Sequence, residues 1–170
     1  MAFLRVSHIG ICVTDLKRSL AFYRDLLGFE ECSRAPFAGE PVDRLLGLED
    51  ARLEAVWLER DGTRIELLRF DALGTGESTT PRPMNTPGLT HLSLRVDDLD
   101  ATLAELHVRD RHGTRVLEET RFDNAEHGIA AIFILDPDGT RVELVQMPGD
   151  PAALPGQGRG PAMPPRRRRA

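Results

Sequence analysis

Two histidines and two glutamates stand in matched positions along this chain: His8 and Glu66 in the first half, His91 and Glu143 in the second. Imidazole nitrogens and carboxylate oxygens together suit one intermediate divalent ion such as Ni²⁺, Co²⁺, Zn²⁺, Mn²⁺ or Fe²⁺. Four protein donors around a six-coordinate ion leave two positions for water or for two substrate oxygens. That is the open arrangement of a catalytic metal rather than a closed structural one. Any one of these residues alone carries little weight, because a strand His is usually a hydrogen-bonded structural residue and a strand Glu is usually solvated. Their recurrence in both halves is what points to a metal.

The recurrence extends well beyond the four side chains. His8-Ile-Gly-Ile-Cys-Val-Thr-Asp15-Leu16 in the first half answers His91-Leu-Ser-Leu-Arg-Val-Asp-Asp98-Leu99 in the second, and the same offset carries Leu20 onto Leu103. Asp61-Gly-Thr-Arg-Ile-Glu66-Leu likewise answers Asp138-Gly-Thr-Arg-Val-Glu143-Leu. Two motif pairs in one order, at nearly one offset, identify a duplication.

Each copy then predicts its own elements. Val6 to Val13 and Thr90 to Val96 alternate as half-buried strands. Asp15 and Asp98 sit where a helix N-cap belongs, since a carboxylate there accepts from an otherwise orphan N–H. Leu16, Leu20, Tyr23 and Leu27, or Leu99, Leu103 and Leu106, form one stripe of helical period. Gly28 suits a left-handed cap. Three short strands should follow, the last two joined by turns around Asp61-Gly62 and Asp136-Pro-Asp-Gly139. The fold class is therefore α+β, with two tandem βαβββ modules over residues 1–70 and 89–148. A Gly-, Thr- and Pro-rich linker spans 71–88, and the Pro-, Gly- and Arg-rich tail 149–170 reads as disordered.

Strand alternation also assigns faces. Ile9, Ile11 and Val13 must face the helix, which turns His8, Gly10 and Cys12 the other way. Leu92, Leu94 and Val96 do the same for His91, Ser93 and Arg95. Ile65 with Leu67, and Val142 with Leu144, are the apolar sets that turn Glu66 and Glu143 away. If the modules join edge to edge and the sheet curls, the uncovered face becomes a cleft lined by two imidazoles and two carboxylates.

Bulk properties narrow the partners. The chain of 170 residues carries a net charge of −5. Arg159 and Arg166 to Arg169 are concentrated in the tail, so the body is more acidic still. An acidic body argues against nucleic acid, whose phosphates need a basic face. No apolar run approaches the roughly 20 residues of a membrane helix. The N-terminus shows no secretion signal, and two cysteines are too few for a disulfide framework. A cytoplasmic protein acting on a small molecule is expected.

The strings HIGICVTDLKRSLAFYRDLLGFE, RIELLRF, LTHLSLRVDDLDATLAEL and FILDPDGTRVELVQ resemble the vicinal oxygen chelate superfamily from about Val6 to Met147. Its members include glyoxalase I, methylmalonyl-CoA epimerase, extradiol dioxygenases, fosfomycin-resistance enzymes and bleomycin-binding proteins. The resemblance implies paired βαβββ modules forming a curved mixed sheet around a metal cleft, commonly in a homodimer. Extradiol dioxygenases and fosfomycin enzymes use two His and one Glu. Glyoxalase I and the epimerase add a fourth ligand, Glu or Gln, where this chain has Glu66.

That fourth ligand implies an isomerase or lyase acting on a carbonyl or thioester compound, in which a proton leaves the carbon beside the carbonyl and the metal holds the oxygens of the enediolate. Glu143 is the first candidate for moving the proton. Glu54, in LEAVWL, is a second, and lies on the Glu66 face only if the Asp61-Gly62 turn has three residues. Two departures concern the substrate: LGTGESTTPRPMNTPG cannot hold the short helix of the epimerase, and Thr90 stands where the epimerase has a second His. No glutathione pocket is identifiable. Arg95 on the His91 face and His127 before a strand are candidate substrate-binding residues. The alternatives are an Fe²⁺ extradiol-type dioxygenase, which would not use Glu66 as a ligand, and a non-catalytic drug- or ligand-binding protein of the same fold.

Overall fold

The computed structural model describes residues 4–72, 82–110 and 113–149. Most of the tail and part of the linker lie outside these residues. The first half runs β1 (Ile9–Cys12), α1 (Leu16–Leu20), a π-helical continuation (Ala21–Leu26), β2 (Glu30–Ala38), α2 (Glu40–Leu46), β3 (Arg52–Arg60) and β4 (Thr63–Phe70). The second half runs β5 (Leu92–Val96), α3 (Leu99–Arg109), β6 (Arg115–Asn124), β7 (Ile129–Leu135) and β8 (Arg141–Gln146). Both halves build one topology: sheet orders β1-β4-β3-β2 and β5-β8-β7-β6, with the first-named pair parallel and the others antiparallel. The two modules thus form two four-stranded sheets rather than one continuous ladder.

The expected helix starts are present. Asp15 accepts from the N–H groups of Lys17 at 2.8 Å and Arg18 at 3.1 Å, and Asp98 accepts from Ala101 at 2.9 Å. Gly28 ends the first helix at φ 77°, a conformation that costs glycine little. The Leu27 N–H reaches the Phe22 carbonyl at 2.9 Å, five residues back, which marks the wider π turn. Helix α2 is an addition to the expected plan. Pro41 near its start and left-handed Gly47 at its end are ordinary stop and start signals, yet none of its residues is buried. Between β3 and β4, Asp61 and Gly62 both take positive φ, 52° and 80°, which gives the two-residue turn that matches strand twist.

The halves share one core. Ile11, Val13, Leu16, Leu20, Tyr23, Ile65 and Leu67 pack in the same cluster as Ile132, Ile134, Val142 and Leu144. The fully buried Tyr23 donates to Asp136 Oδ2 at 2.9 Å across the junction. Asp136 also accepts from the N–H groups of Asp138 and Thr140, so one carboxylate shapes the β7–β8 turn and fastens it to the first helix. Burial pushes its carboxyl above the usual range, and the Tyr23 hydroxyl well above its own. Among the described residues no helix is long and apolar enough to cross a membrane.

Candidate metal centre

Parallel pairing of β1 with β4 sets Gly10 beside Glu66, and pairing of β5 with β8 sets Ser93 beside Glu143. In each case the histidine stands two residues before that pair, so its ring can bend back over the carboxylate. His8 Nε2 lies 3.0 Å from Glu66 Oε2, and His91 Nε2 lies 3.7 Å from Glu143 Oε2. All four side chains are partly exposed, between 14% and 37%. Both rings turn Nε2 to the carboxylate and Nδ1 to the hydroxyl of the preceding residue: Ser7 Oγ at 3.1 Å and Thr90 Oγ1 at 2.9 Å.

The structure brings the four candidate ligands together as two pairs, not as one cluster. Among the described residues, no three His, Cys, Asp or Glu side chains form a group able to hold an ion. Each imidazole is drawn to the carboxylate of its own half. The donor set nevertheless suits a borderline divalent ion: two imidazole Nε2 atoms aligned by Nδ1 hydrogen bonds, and two carboxylates. His8, Glu66, His91 and Glu143 are the residues that would hold it.

Around the pairs, the antiparallel ladders place an aromatic ring opposite each carboxylate, Trp57 beside Glu66 and Phe133 beside Glu143. Phe133 packs edge-on to His91 at 5.3 Å, and Trp57 packs against Phe37 at 6.0 Å. A cavity of about 500 Å³ opens between the edge of β1 and the start of β5, with Gly10, Cys12, Thr90, His91 and Arg141 in its wall. Burial, and then the charge of Asp138, push the Cys12 thiol up, so near neutral pH it stays protonated. A second cavity of about 380 Å³ lies between the first helix and the β7–β8 turn; of the four candidate ligands only His91 lines the first cavity and none lines the second.

Two candidates fall elsewhere, and the third, Arg95, stays on the face of His91 and Glu143. Glu54 pairs with Arg69 across a two-residue turn, which puts it on the face of Val56 and Leu67 and opposite to Glu66. Its carboxylate takes a hydrogen bond from Arg34 at 3.0 Å. The turn length that would have brought it to the cleft is not the one that forms. His127 stands in the β6–β7 turn, beyond the Ala130–Gln146 pair and away from the His91 end, with Nδ1 at 3.1 Å from Asn124 Oδ1. Arg95 keeps the expected strand but donates to the Met147 carbonyl at 2.9 Å.

Residue types alone pointed past the aromatic neighbours and the hydroxyls of Ser7 and Ser93. Ser7 and Thr90 sit at the repeat offset, one residue before each histidine, and that was the available signal. Ser93 Oγ donates to Glu143 Oε2 at 2.6 Å, a contact the first half lacks because its equivalent is Gly10.

The profile of the Glyoxalase/Bleomycin resistance protein/Dioxygenase superfamily matches residues 5–144. The chain is 29% identical to the mitochondrial methylmalonyl-CoA epimerase of Bos taurus, over 84% of this chain and 74% of that one. It is 31% identical to the ethylmalonyl-CoA/methylmalonyl-CoA epimerase of Cereibacter sphaeroides, over 84% of this chain and 98% of that one. In fold it resembles the crystal structure of a glyoxalase family protein from Bacillus cereus, with TM-score 0.72, 24% identity, and coverage of 88% and 97%. The chain belongs to the Glyoxalase/Bleomycin resistance protein/Dioxygenase superfamily.

Proposed function

We propose that this protein is a divalent-metal-dependent isomerase or lyase that moves a proton on the carbon beside a carbonyl, with His8, Glu66, His91 and Glu143 holding the ion. The observation that carries the reading is the duplicated contact of an imidazole Nε2 with a carboxylate Oε2, once in each half and each on a β-ladder of the same register. Two carboxylate ligands favour this class over a dioxygenase site that would leave Glu66 off the metal. The similarity to two epimerases supports the same branch. A homodimer and a cytoplasmic location remain part of the proposal.

When bound, a divalent ion supplies charge stabilisation to the oxygen on which negative charge develops. Proton movement falls to the chain's own carboxylates. Glu143 Oε2 is engaged by Ser93, which leaves Oε1 as the oxygen that takes the proton. The ladder register removes Glu54 from this face, so return of the proton to the opposite side of the carbon falls to Glu66.

The test is solvent deuterium incorporation, followed by mass spectrometry, into methylmalonyl-CoA and into the thiol adduct of a 2-oxoaldehyde, with protein loaded in turn with Ni²⁺, Co²⁺, Zn²⁺, Mn²⁺ and Fe²⁺. Exchange that needs the metal and falls by about 10²- to 10⁴-fold in Glu143→Gln supports the reading. Exchange that persists at the wild-type rate in that variant removes Glu143 from the role.

A further inference from the structure

We propose that the cavity between the first helix and the β7–β8 turn binds a small organic anion, an apolar body ending in a carboxylate or phosphate group. None of the four candidate metal ligands lines this cavity. Its volume of about 380 Å³ lies within the range of small-molecule sites, roughly 300–1,000 Å³. Both halves build it. Arg18, Phe22 and Leu26 come from the first helix, and Arg115 and Leu135 from β6 and β7.

The floor is apolar, since Phe22 and Leu135 are buried and Leu26 is half-buried. Around it the carboxylates already have donors. Asp25 is held by Arg24 at 2.7 and 3.1 Å. Asp110 accepts from the Thr114 N–H, and the buried Asp136 accepts from Tyr23, Asp138 and Thr140. Arg109 gives its N–H groups to Glu105 and to the Asp25 carbonyl, both at 3.1 Å. Two exposed arginines differ. Arg18 makes one long contact, 3.4 Å to the Pro137 carbonyl, and no described residue accepts from the Arg115 guanidinium. Elsewhere arginines of this chain meet carboxylates, as Arg34 meets Glu31 and Arg121 meets Asp100 and Asp123. A guanidinium carries five N–H donors in a planar fork that matches the oxygens of a carboxylate or a phosphate. Two such forks with open donors on one cavity call for an acceptor that brings its own negative charge. The apolar floor favours an anion with a hydrocarbon body over a bare inorganic one.

The experiment is a titration of full-length ¹⁵N-labelled protein, without added metal, followed by amide ¹H–¹⁵N shifts. The ligands are phenylacetate, phenyl phosphate, the neutral phenylacetamide and inorganic phosphate. The first two are expected to move the amides of Phe22, Leu26 and Leu135, and the tighter of them identifies the head group. Phenylacetamide keeps the ring without the charge, and inorganic phosphate keeps the charge without the ring. Each should bind at least about tenfold more weakly, and the organic anions should lose about tenfold in Arg18→Gln and in Arg115→Gln, the scale of one charge-assisted hydrogen bond. Binding of phenylacetamide or inorganic phosphate as tight as that of the organic anions overturns the inference. So do unmoved amides, or wild-type affinity in both variants. The neutral amide tests the charge in the wild type itself, so the answer stands even where a variant fails to fold.

Discussion

The two halves build the same ladder around the same pair of residue types, yet their carboxylates are held differently. In the first half Gly10 lies beside Glu66, and among the described residues the imidazole of His8 is the one partner of that carboxylate, at 3.0 Å. In the second half Ser93 occupies the equivalent place, its hydroxyl takes Glu143 Oε2 at 2.6 Å, and the imidazole of His91 stands off at 3.7 Å. One small residue on a neighbouring strand separates a carboxylate committed to its histidine from one with divided contacts. Duplication supplies two equal half-sites, and a single side chain then makes them unequal.

The largest effect should come from neutralising the two carboxylates in turn. Glu143→Gln is expected to lower proton exchange by about 10²- to 10⁴-fold while Zn²⁺ binding falls less, and Glu66→Gln to weaken Zn²⁺ binding more than Glu143→Gln does. Calorimetry beside the deuterium assay separates the two. Equal effects would erase the distinction.

The junction that holds the halves together comes next. Asp136→Ala leaves the buried Tyr23 hydroxyl and two backbone N–H groups without their acceptor, and should cost about 2–4 kcal/mol by urea unfolding. Its pH dependence has a definite sign. The folded-state pKa of Asp136 is raised, so the folded form binds this proton more tightly than the unfolded chain. Its contribution is greatest below the ordinary Asp value of about 3.9 and is lost as pH rises from there through the folded value. Thermal melts of wild type minus Asp136→Asn across that range should fall with rising pH and then level off.

Exchanging the small residues beside the carboxylates should give the gentlest changes. Ser93→Gly recreates the first half, and Gly10→Ser recreates the second; a Cβ at Gly10 meets Leu68 no closer than 3.5 Å and Glu66 at 4.0 Å. Stability is expected to stay within about 0.5 kcal/mol in both. Zn²⁺ affinity should shift by roughly tenfold at most, upward for Ser93→Gly as Glu143 is freed and downward for Gly10→Ser, measured by competition with a chelating dye.

The repeat made much of this legible from residues alone. Alternation in Ile9–Val13 and Leu92–Val96, together with the two Asp caps, placed the strands, the helix starts and the face that carries Glu66 and Glu143, because those signals are local and were present twice. What escaped depended on lengths and long-range meetings. The fate of Glu54 turned on whether the hairpin at Asp61-Gly62 has two residues or three, and one residue inverts every side chain along the strand. Helix α2 carries its own Pro and Gly boundaries and an apolar set at helical spacing, Val42, Leu45 and Leu46, yet none of these side chains is buried. The contact of Tyr23 with Asp136 spans the two halves and has no local signature. His127 looked available because a loop before a strand is open by default; its ring instead meets Asn124 within the same turn.

One divalent ion held jointly by both halves implies a fixed metal content per chain, which metal analysis by mass spectrometry reads directly. Protein purified without chelator, or incubated with Ni²⁺, Co²⁺, Zn²⁺, Mn²⁺ and Fe²⁺, should carry close to one ion per chain. That ion should be lost both in His91→Ala and in Glu66→Ala, since each removes a donor from a different half. Metal that survives in either variant contradicts a joint site, and a wild type that takes up none of these ions contradicts a metal-dependent protein altogether.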